Sequence, residues 1–389
     1  MNEPAGHAAA SAFGASVEER FGRRAAVLSR APGRINLIGE HIDYCGGIVM
    51  PIAIPQACHV AIVETPGAGE RCVIGSSMVD KTIEFDPRSP LQPGAEAPMG
   101  SWPSYILGVV AGFQSLGPVG RLAGHRIQVH TDVPVGAGLS SSAALEVAVA
   151  VGLSAFLDVP MEGLAVAKLA QQAEHEYAGV PCGLMDQATS ALARAGQALL
   201  LDCSDESVAW APIMPSAELV VVHSGVSHAL ADGTYARRRN ACESAAVRLG
   251  VEHLAHAPAD DLAALPASER PFARHVISEQ ARVIGAKEAL EAGDAAAFGR
   301  LMSASHVSMR DDFEISCIEI DALVEAMGSA EGCFGARMTG GGLGGCVIAL
   351  TEPGAGQAVL AAAETRRDLC PNQRPIPVFA ADGASLVIA

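Results

Sequence analysis

The chain has 389 residues, half of them hydrophobic, with 18% charged and 4% aromatic. That length suits two domains of about 150–200 residues each, and the apolar fraction excludes a disordered chain. Forty-three Asp and Glu against 26 Lys and Arg leave a formal charge of −17, a field that repels polyanions and argues against nucleic acid as a partner. In chain order, residues 1–25 read as a loose Ala/Gly/Ser-rich leader with a short helix around Val17–Phe21. Val60–Val63 and Arg126–Val129 read as strands, Ser141–Leu157 and Met161–Tyr177 as helices, the second starting just after Pro160. Turn residues across Asp202–Pro215 precede the strand Leu219–His223, which sets an expected division into 1–205 and 206–389. Helices follow at Tyr235–Leu249, Pro271–Ala292 and Ala295–Met309, then a glycine run and the strand Cys346–Leu350.

Ten cysteines occur without a CxxC pair, which supports neither a zinc ribbon nor a thioredoxin-type site. They are expected as free, buried thiols of a reducing compartment. The first residues lack a basic patch followed by an apolar core, and the longest apolar run, Ala143–Leu157, is interrupted by Glu146 and Ser154. A soluble cytoplasmic protein is expected, with no membrane contact. Lysine occurs only at Lys81, Lys168 and Lys287. An anion site in this chain must therefore use arginine, backbone N–H groups or a metal ion.

Three glycine-containing segments carry the chemistry. Pro134-Val-Gly-Ala-Gly-Leu-Ser-Ser-Ser-Ala143 joins a strand to an Ala-rich helix. Gly136 and Gly138 free the backbone to aim N–H groups at one point, and the helix adds its positive end, which makes an anion cradle. The hydroxyls of Ser140, Ser141 and Ser142 fall on the first turn, within reach of a magnesium ion; a plain serine-capped turn is the competing reading. The segment is not GxxxxGK[ST], so P-loop NTPases are excluded but nucleotide binding is not. Gly340-Gly-Gly-Leu-Gly-Gly345 satisfies GxGxxG formally, yet it leads into a strand rather than a helix, the wrong context for a dinucleotide fingerprint. It is expected as a loop where backbone passes close to something else. In Ala31-Pro-Gly-Arg-Ile-Asn-Leu-Ile-Gly-Glu-His-Ile-Asp-Tyr-Cys-Gly-Gly47, the polar Arg34, Asn36, Glu40, His41 and Asp43 alternate with apolar residues between glycines. Such a set suits a polyhydroxylated ligand, since carboxylates accept sugar hydroxyls and histidine does either.

Together these segments resemble the galactokinase branch of the GHMP small-molecule kinases. Gln171-Gln-Ala-Glu-His175, Pro181-Cys-Gly-Leu-Met-Asp-Gln187, Ser224-Gly-Val-Ser-His228 with Tyr235 and Arg237-Arg238, and Ser305-His-Val-Ser-Met-Arg-Asp-Asp312 are similar to that branch as well, so the resemblance runs from about Phe21 to Cys346. It implies an α/β (α+β) fold of two domains with ATP and sugar in the cleft between them. It implies Asp186 as the catalytic aspartate accepting the proton of the anomeric hydroxyl, and Arg34 as its partner at the transferring phosphoryl group. Glu40, His41, Asp43, Gly183 and Tyr235 match sugar contacts; Gly136, Ala137, Gly138, Leu139, Ser140, Ser141 and Ser142 match the ATP-phosphate loop. Ser142 and Glu174 match ligands of Mg2+.

The resemblance thus implies Mg-dependent transfer from ATP to galactose. On its residues alone, Asp186 also reads as the N-cap of the helix that follows, and Glu174 reads first as a solvated helix residue among Gln171, Gln172 and Glu176. His41 and His175 lack zinc-ligand spacing, and Trp102 stays outside the expected site. The segment Gly-Glu-His-Ile-Asp-Tyr-Cys-Gly-Gly departs from the family pattern at Ile42 and Cys45, which opens N-acetylgalactosamine or another galactose-like sugar as the alternative substrate. Relatives that bind sugar and ATP without chemistry lack the Ser-Ala step that Ser142-Ala143 retains here. The expected partners are a small sugar and ATP; the sequence assigns no oligomeric state.

Overall fold

In the computed structural model, residues 5–65, 69–227 and 234–388 are described; His228 lies outside the described residues. A six-stranded sheet dominates the first half. Its spatial order is Ser385–Ile388, Val27–Asn36, Pro51–Glu64, His125–Thr131, Cys72–Ser76 and Ile83–Phe85. All neighbours are antiparallel except Cys72–Ser76 beside His125–Thr131. The outermost of these strands comes from the other end of the chain, with Leu386 opposite Ser29. Every residue of Val27–Asn36 is buried, because helices cover both faces of the strand.

Successive strand residues face opposite ways. Leu28 packs with Ala61 and Val63 under Ala10, Phe13 and Val17 of the helix Ala5–Phe21. Its neighbour Ser29 turns the other way and donates to the Ala148 carbonyl at 2.7 Å. That carbonyl belongs to Ser141–Leu157, a helix apolar nearly all round and therefore interior. The leader expected as loose is thus a 17-residue helix, and its weakly patterned Ala/Gly sequence is held by the sheet it covers. The helix expected from Met161 starts at Gly163, since Glu162 is extended (φ −75°, ψ 155°), and it widens into a π-turn at Glu174–Ala178.

In the second half, four antiparallel strands run in the order Cys333–Thr339, Gly344–Thr351, Glu218–Ser227 and Arg374–Ile376. The helices Ala295–Asp311 and Ile318–Gly328 pack on this sheet. A three-stranded sheet, Ile48–Val49, Gln197–Asp202 and Ser207–Pro212, lies beside the segment that carries Glu40. The long helix Arg270–Ala292 reaches across and holds that segment. Glu279 accepts from the Gly39 N–H at 2.9 Å, Gln280 accepts from the Ile48 N–H at 2.8 Å, and His275 Nε2 lies 3.0 Å from the Glu40 carbonyl. All ten cysteines are free. Among the described residues no helix is long and apolar enough to cross a membrane.

Candidate active site

The loop before Ser141–Leu157 is anchored from below. Ala137 and Leu139 are each 1% exposed, and the Arg34 N–H donates to the Leu139 carbonyl at 3.1 Å. Gly136 and Gly138 both sit at φ +74°, and Ser140 is left-handed at φ 58°, ψ 48°. Ser140 makes no capping bond to the helix, so the serine-capped turn is not what is built. The glycine run makes the hairpin loop, residues 340–343, between Cys333–Thr339 and Gly344–Thr351, continues into the second strand, and presses on this same loop. A Cβ at Gly340 would stand 2.6 Å from the Gly138 carbonyl oxygen, and Gly340 has φ +91°. Close backbone approach is thus why glycine occupies that turn.

Arg34 and Asp186, 152 residues apart in sequence, meet at the edge of this loop. Arg34 Nε donates to Asp186 Oδ1 at 2.8 Å, Nη2 lies 2.7 Å from the same oxygen, and Nη1 donates to the Gly138 carbonyl at 2.6 Å. Ser140 Oγ donates to Asp186 Oδ2 at 2.5 Å. Asp186 is in the first turn of the helix Met185–Leu192, whose N-cap residue is Leu184. The capping reading of Asp186 therefore fails: both carboxylate oxygens are engaged elsewhere. Arg34 is 5% exposed, while the Asp186 side chain keeps 25% of its surface, leaving the carboxylate open on one side.

That side faces a cavity of about 420 Å³ lined by Arg34, Glu40, His41, Asp43, Glu174, Gly183, Asp186 and Tyr235, together with Gly340 and Gly341. Every residue singled out for sugar contact is on its wall. Glu40 is buried and accepts from Asn36 Nδ2, from Thr339 Oγ1 at 3.2 Å and from the Gly340 N–H at 2.5 Å. His41 Nδ1 lies 3.0 Å from the Tyr44 hydroxyl, and its ring lies 5.6 Å from that of Tyr235. Burial, then the neighbouring His275, pushes the His41 imidazole down to about 3, so it is neutral at working pH. Burial and the Asp186 charge push Asp43 up to about 6. Gly183 is glycine for a steric reason: a Cβ there would lie 1.9 Å from Asp43 Oδ2.

Deeper in the wall, Glu174 is only 5% exposed, which overturns its reading as a solvated residue. Its Oε2 accepts from Gln187 Nε2 at 2.6 Å. The same amide lies 3.3 Å from Glu146 Oε2, and Glu146 Oε1 is buried without a donor. Burial and the Asp186 charge push Glu174 up to about 7; burial and Glu174 hold Glu146 well above the usual carboxylate range. The Glu174 carboxylate, with the Ser142 hydroxyl among the groups acting on it, is an oxygen donor of the kind a hard divalent cation takes. Among the described residues no group of three or more acidic, His or Cys side chains is placed to hold a metal ion. Glu146 was absent from the expected site. Its signal in the sequence was being the one charge within an otherwise apolar helical run.

On the other side of Ser141 and Ser142 lies a second, largely apolar cavity of about 440 Å³, lined also by Met78, Val79, Trp102, Tyr105, Val135 and Leu145. Trp102, left aside on sequence grounds, therefore borders the phosphate loop. None of the three lysines lines either cavity. Ile42 and Cys45, expected to reshape the sugar site, do not line it either. Ile42 is fully buried, against Gly47, and Cys45 faces Cys242 and His253 in a separate pocket.

The family model for the GHMP kinases N terminal domain matches residues 104–194, that for the GHMP kinases C terminal matches residues 286–367, and the galactokinase galactose-binding signature matches residues 17–63. A galactokinase of Chloroflexus aurantiacus is 44% identical over 346 residues, 86% of each chain. The Bos taurus galactokinase is 40% identical over 368 residues, 92% of this chain and 91% of that one. Among solved structures, Lactococcus lactis galactokinase complexed with galactose superposes with a TM-score of 0.87 at 28% identity, covering 96% of this chain and 99% of that one. Methanococcus jannaschii mevalonate kinase shares the fold at a TM-score of 0.67 and 19% identity, over 91% of this chain and 98% of that one. The chain belongs to the galactokinase family of the GHMP kinases.

Proposed function

We propose that this kinase transfers the γ-phosphoryl group of ATP to the anomeric hydroxyl of galactose, giving galactose 1-phosphate and ADP. The observation that carries the reading is the contact between the two halves of the chemistry. The phosphate loop touches the acid–base pair directly, through Ser140 on Asp186 and Gly138 on Arg34, at the mouth of a cavity whose polar groups suit a sugar.

The residues divide the work as follows. The loop 136–142 and the amino end of Ser141–Leu157 hold the triphosphate with N–H groups and the helix dipole, in place of a lysine. The apolar cavity beside Trp102 and Tyr105 suits a flat purine ring. Asp43 and Glu40 accept sugar hydroxyls, and the neutral His41 ring, with Nδ1 at the Tyr44 hydroxyl and Nε2 3.3 Å from the Gly341 carbonyl, shapes the wall beside them. Asp186, oriented by Arg34, accepts the anomeric proton as the O–P bond forms. In a loose phosphoryl-transfer transition state that proton leaves late, so positioning of the acceptor is what the protein must supply. The Arg34 guanidinium, held by Asp186 and the Gly138 carbonyl, offsets the developing phosphoryl charge from that position while orienting Asp186. Ser142 and Glu174 would hold Mg2+, which supplies charge neutralisation between the phosphates when bound. The two units, 1–205 and 206–389, would form the two walls of the cleft, with the last strand crossing back to the first sheet.

The buried placement of Ile42 and Cys45 favours galactose over a sugar with an enlarged substituent, since neither departure widens the cavity. The test is ADP release with Mg-ATP and a panel of galactose, N-acetylgalactosamine, arabinose and glucose. Galactose is expected to give the highest kcat/KM; absence of galactose-dependent ADP release would contradict the reading.

A further inference from the structure

Among the described residues Arg337 is the largest fully buried side chain, on the strand Cys333–Thr339. An apolar side chain of similar size often serves stability as well as a buried guanidinium, and this one leaves Nε buried without a partner. Two of its nitrogens reach the sugar segment, 300 residues away in sequence: Nη1 donates to the Leu37 carbonyl at 2.9 Å, and Nη2, which donates to Met309 Sδ at 3.2 Å, stands 3.3 Å from Glu40 Oε2 as an ion pair. Glu40 in turn accepts the Gly340 N–H. Gly340 packs on Gly138, whose carbonyl accepts from Arg34. A continuous set of contacts therefore runs from Arg337 through Glu40 and the glycine hairpin to the residues around Asp186.

We propose that Arg337 is a positioning residue of the sugar site: its guanidinium holds the Leu37 carbonyl by a hydrogen bond and the Glu40 carboxylate by charge, so that Glu40 meets the sugar in one orientation. The proposal rests on the sugar-kinase reading above. Arginine is required because one lysine ammonium cannot span both acceptors. A residue serving the fold alone would, when replaced, weaken sugar and nucleotide binding together with thermal stability. A residue that positions Glu40 weakens the sugar side selectively.

The experiment measures galactose binding by calorimetry without nucleotide, KM for each substrate, kcat and thermal melting, for the wild type, Arg337→Lys and Thr339→Val. The second variant removes the Thr339 hydroxyl, which lies 3.2 Å from Glu40 and also bonds the Asn36 backbone, and guards against a poorly folding Arg337→Lys. Arg337→Lys is expected to weaken galactose binding about 10- to 100-fold, the range for loss of one hydrogen bond to a charged group. Its KM for ATP should stay within about threefold. Thr339→Val is expected to shift galactose binding in the same direction by a smaller factor. Galactose binding unchanged in both variants overturns the proposal, as does a parallel loss of sugar and ATP affinity that follows the fall in melting temperature. Failure of the wild-type protein itself to bind galactose would instead overturn the sugar-kinase reading.

Discussion

Replacing Asp186 with Asn separates the chemical role of that carboxylate from its structural one. The amide oxygen of the variant can still accept from Arg34, and its NH2 group can donate to Ser140 in place of the present Ser140-to-Asp186 bond. The geometry is therefore largely kept, while the charge and the proton acceptor are lost. The structural cost is the difference between a charge-assisted pair and a neutral hydrogen bond. For a group whose side chain is 25% exposed, that is about 1–2 kcal/mol of stability, seen as a few degrees in melting temperature. The chemical cost is that of removing a positioned general base, about 10²- to 10⁴-fold in kcat. ADP release at saturating galactose and Mg-ATP gives kcat, and a thermal melt gives the stability term independently. A folded Asp186→Asn protein with kcat within about threefold of wild type would refute the base assignment, since no stability loss of this size hides so large a catalytic effect.

Gly183→Ala places a methyl group 1.9 Å from Asp43 Oδ2, so Asp43 must leave its position on the cavity wall. The galactose KM should rise about 10-fold or more with the ATP KM unchanged, because small displacements of a binding group are costly; steady-state kinetics with each substrate varied checks this. Asp43 supplies a pH prediction. Its carboxyl is pushed up to about 6, so it is protonated at pH 5 and ionised at pH 7, and galactose affinity should rise across that interval and lose the dependence in Asp43→Asn. The stability sign is opposite: an acid raised in the fold favours the folded state at low pH, and that contribution is lost as pH rises to about 6. Asp43→Asn should therefore remove this fall from the pH dependence of the melting temperature. No break near pH 6.5 is expected from His41, held down at about 3.

Local chemistry made much of the site legible. Arg34, Glu40, His41 and Asp43 fall within ten residues of one another, and a glycine-flanked cluster of that density has few purposes. The helix Ser141–Leu157 was legible at both ends, from the serines after Gly138 to the left-handed Asp158 that stops it. What escaped was non-local. Glu146 looked like an interruption of an apolar run, and only packing puts it beside Glu174 and Gln187. Arg337 carries no motif; its meaning comes from a partner 300 residues distant. The strand Ser385–Ile388 adds to a sheet begun by Val27–Asn36, a pairing no local pattern announces. Ala5–Phe21 escaped for an energetic reason, since its helix is stabilised by Phe13 and Val17 against the sheet more than by its own weakly amphipathic sequence. Ile42 and Cys45 were overread. Proximity in sequence to Asp43 does not place a side chain in the same cavity, and a tight turn through Gly46 sends them elsewhere.

³¹P NMR of the product formed from galactose and Mg-ATP reads the position of the transferred group outright. A sugar phosphate coupled to the anomeric proton, formed in step with ADP, is the expected signal. Phosphate attached to any other hydroxyl, or ATP left unconsumed with galactose present, would contradict the proposed transfer.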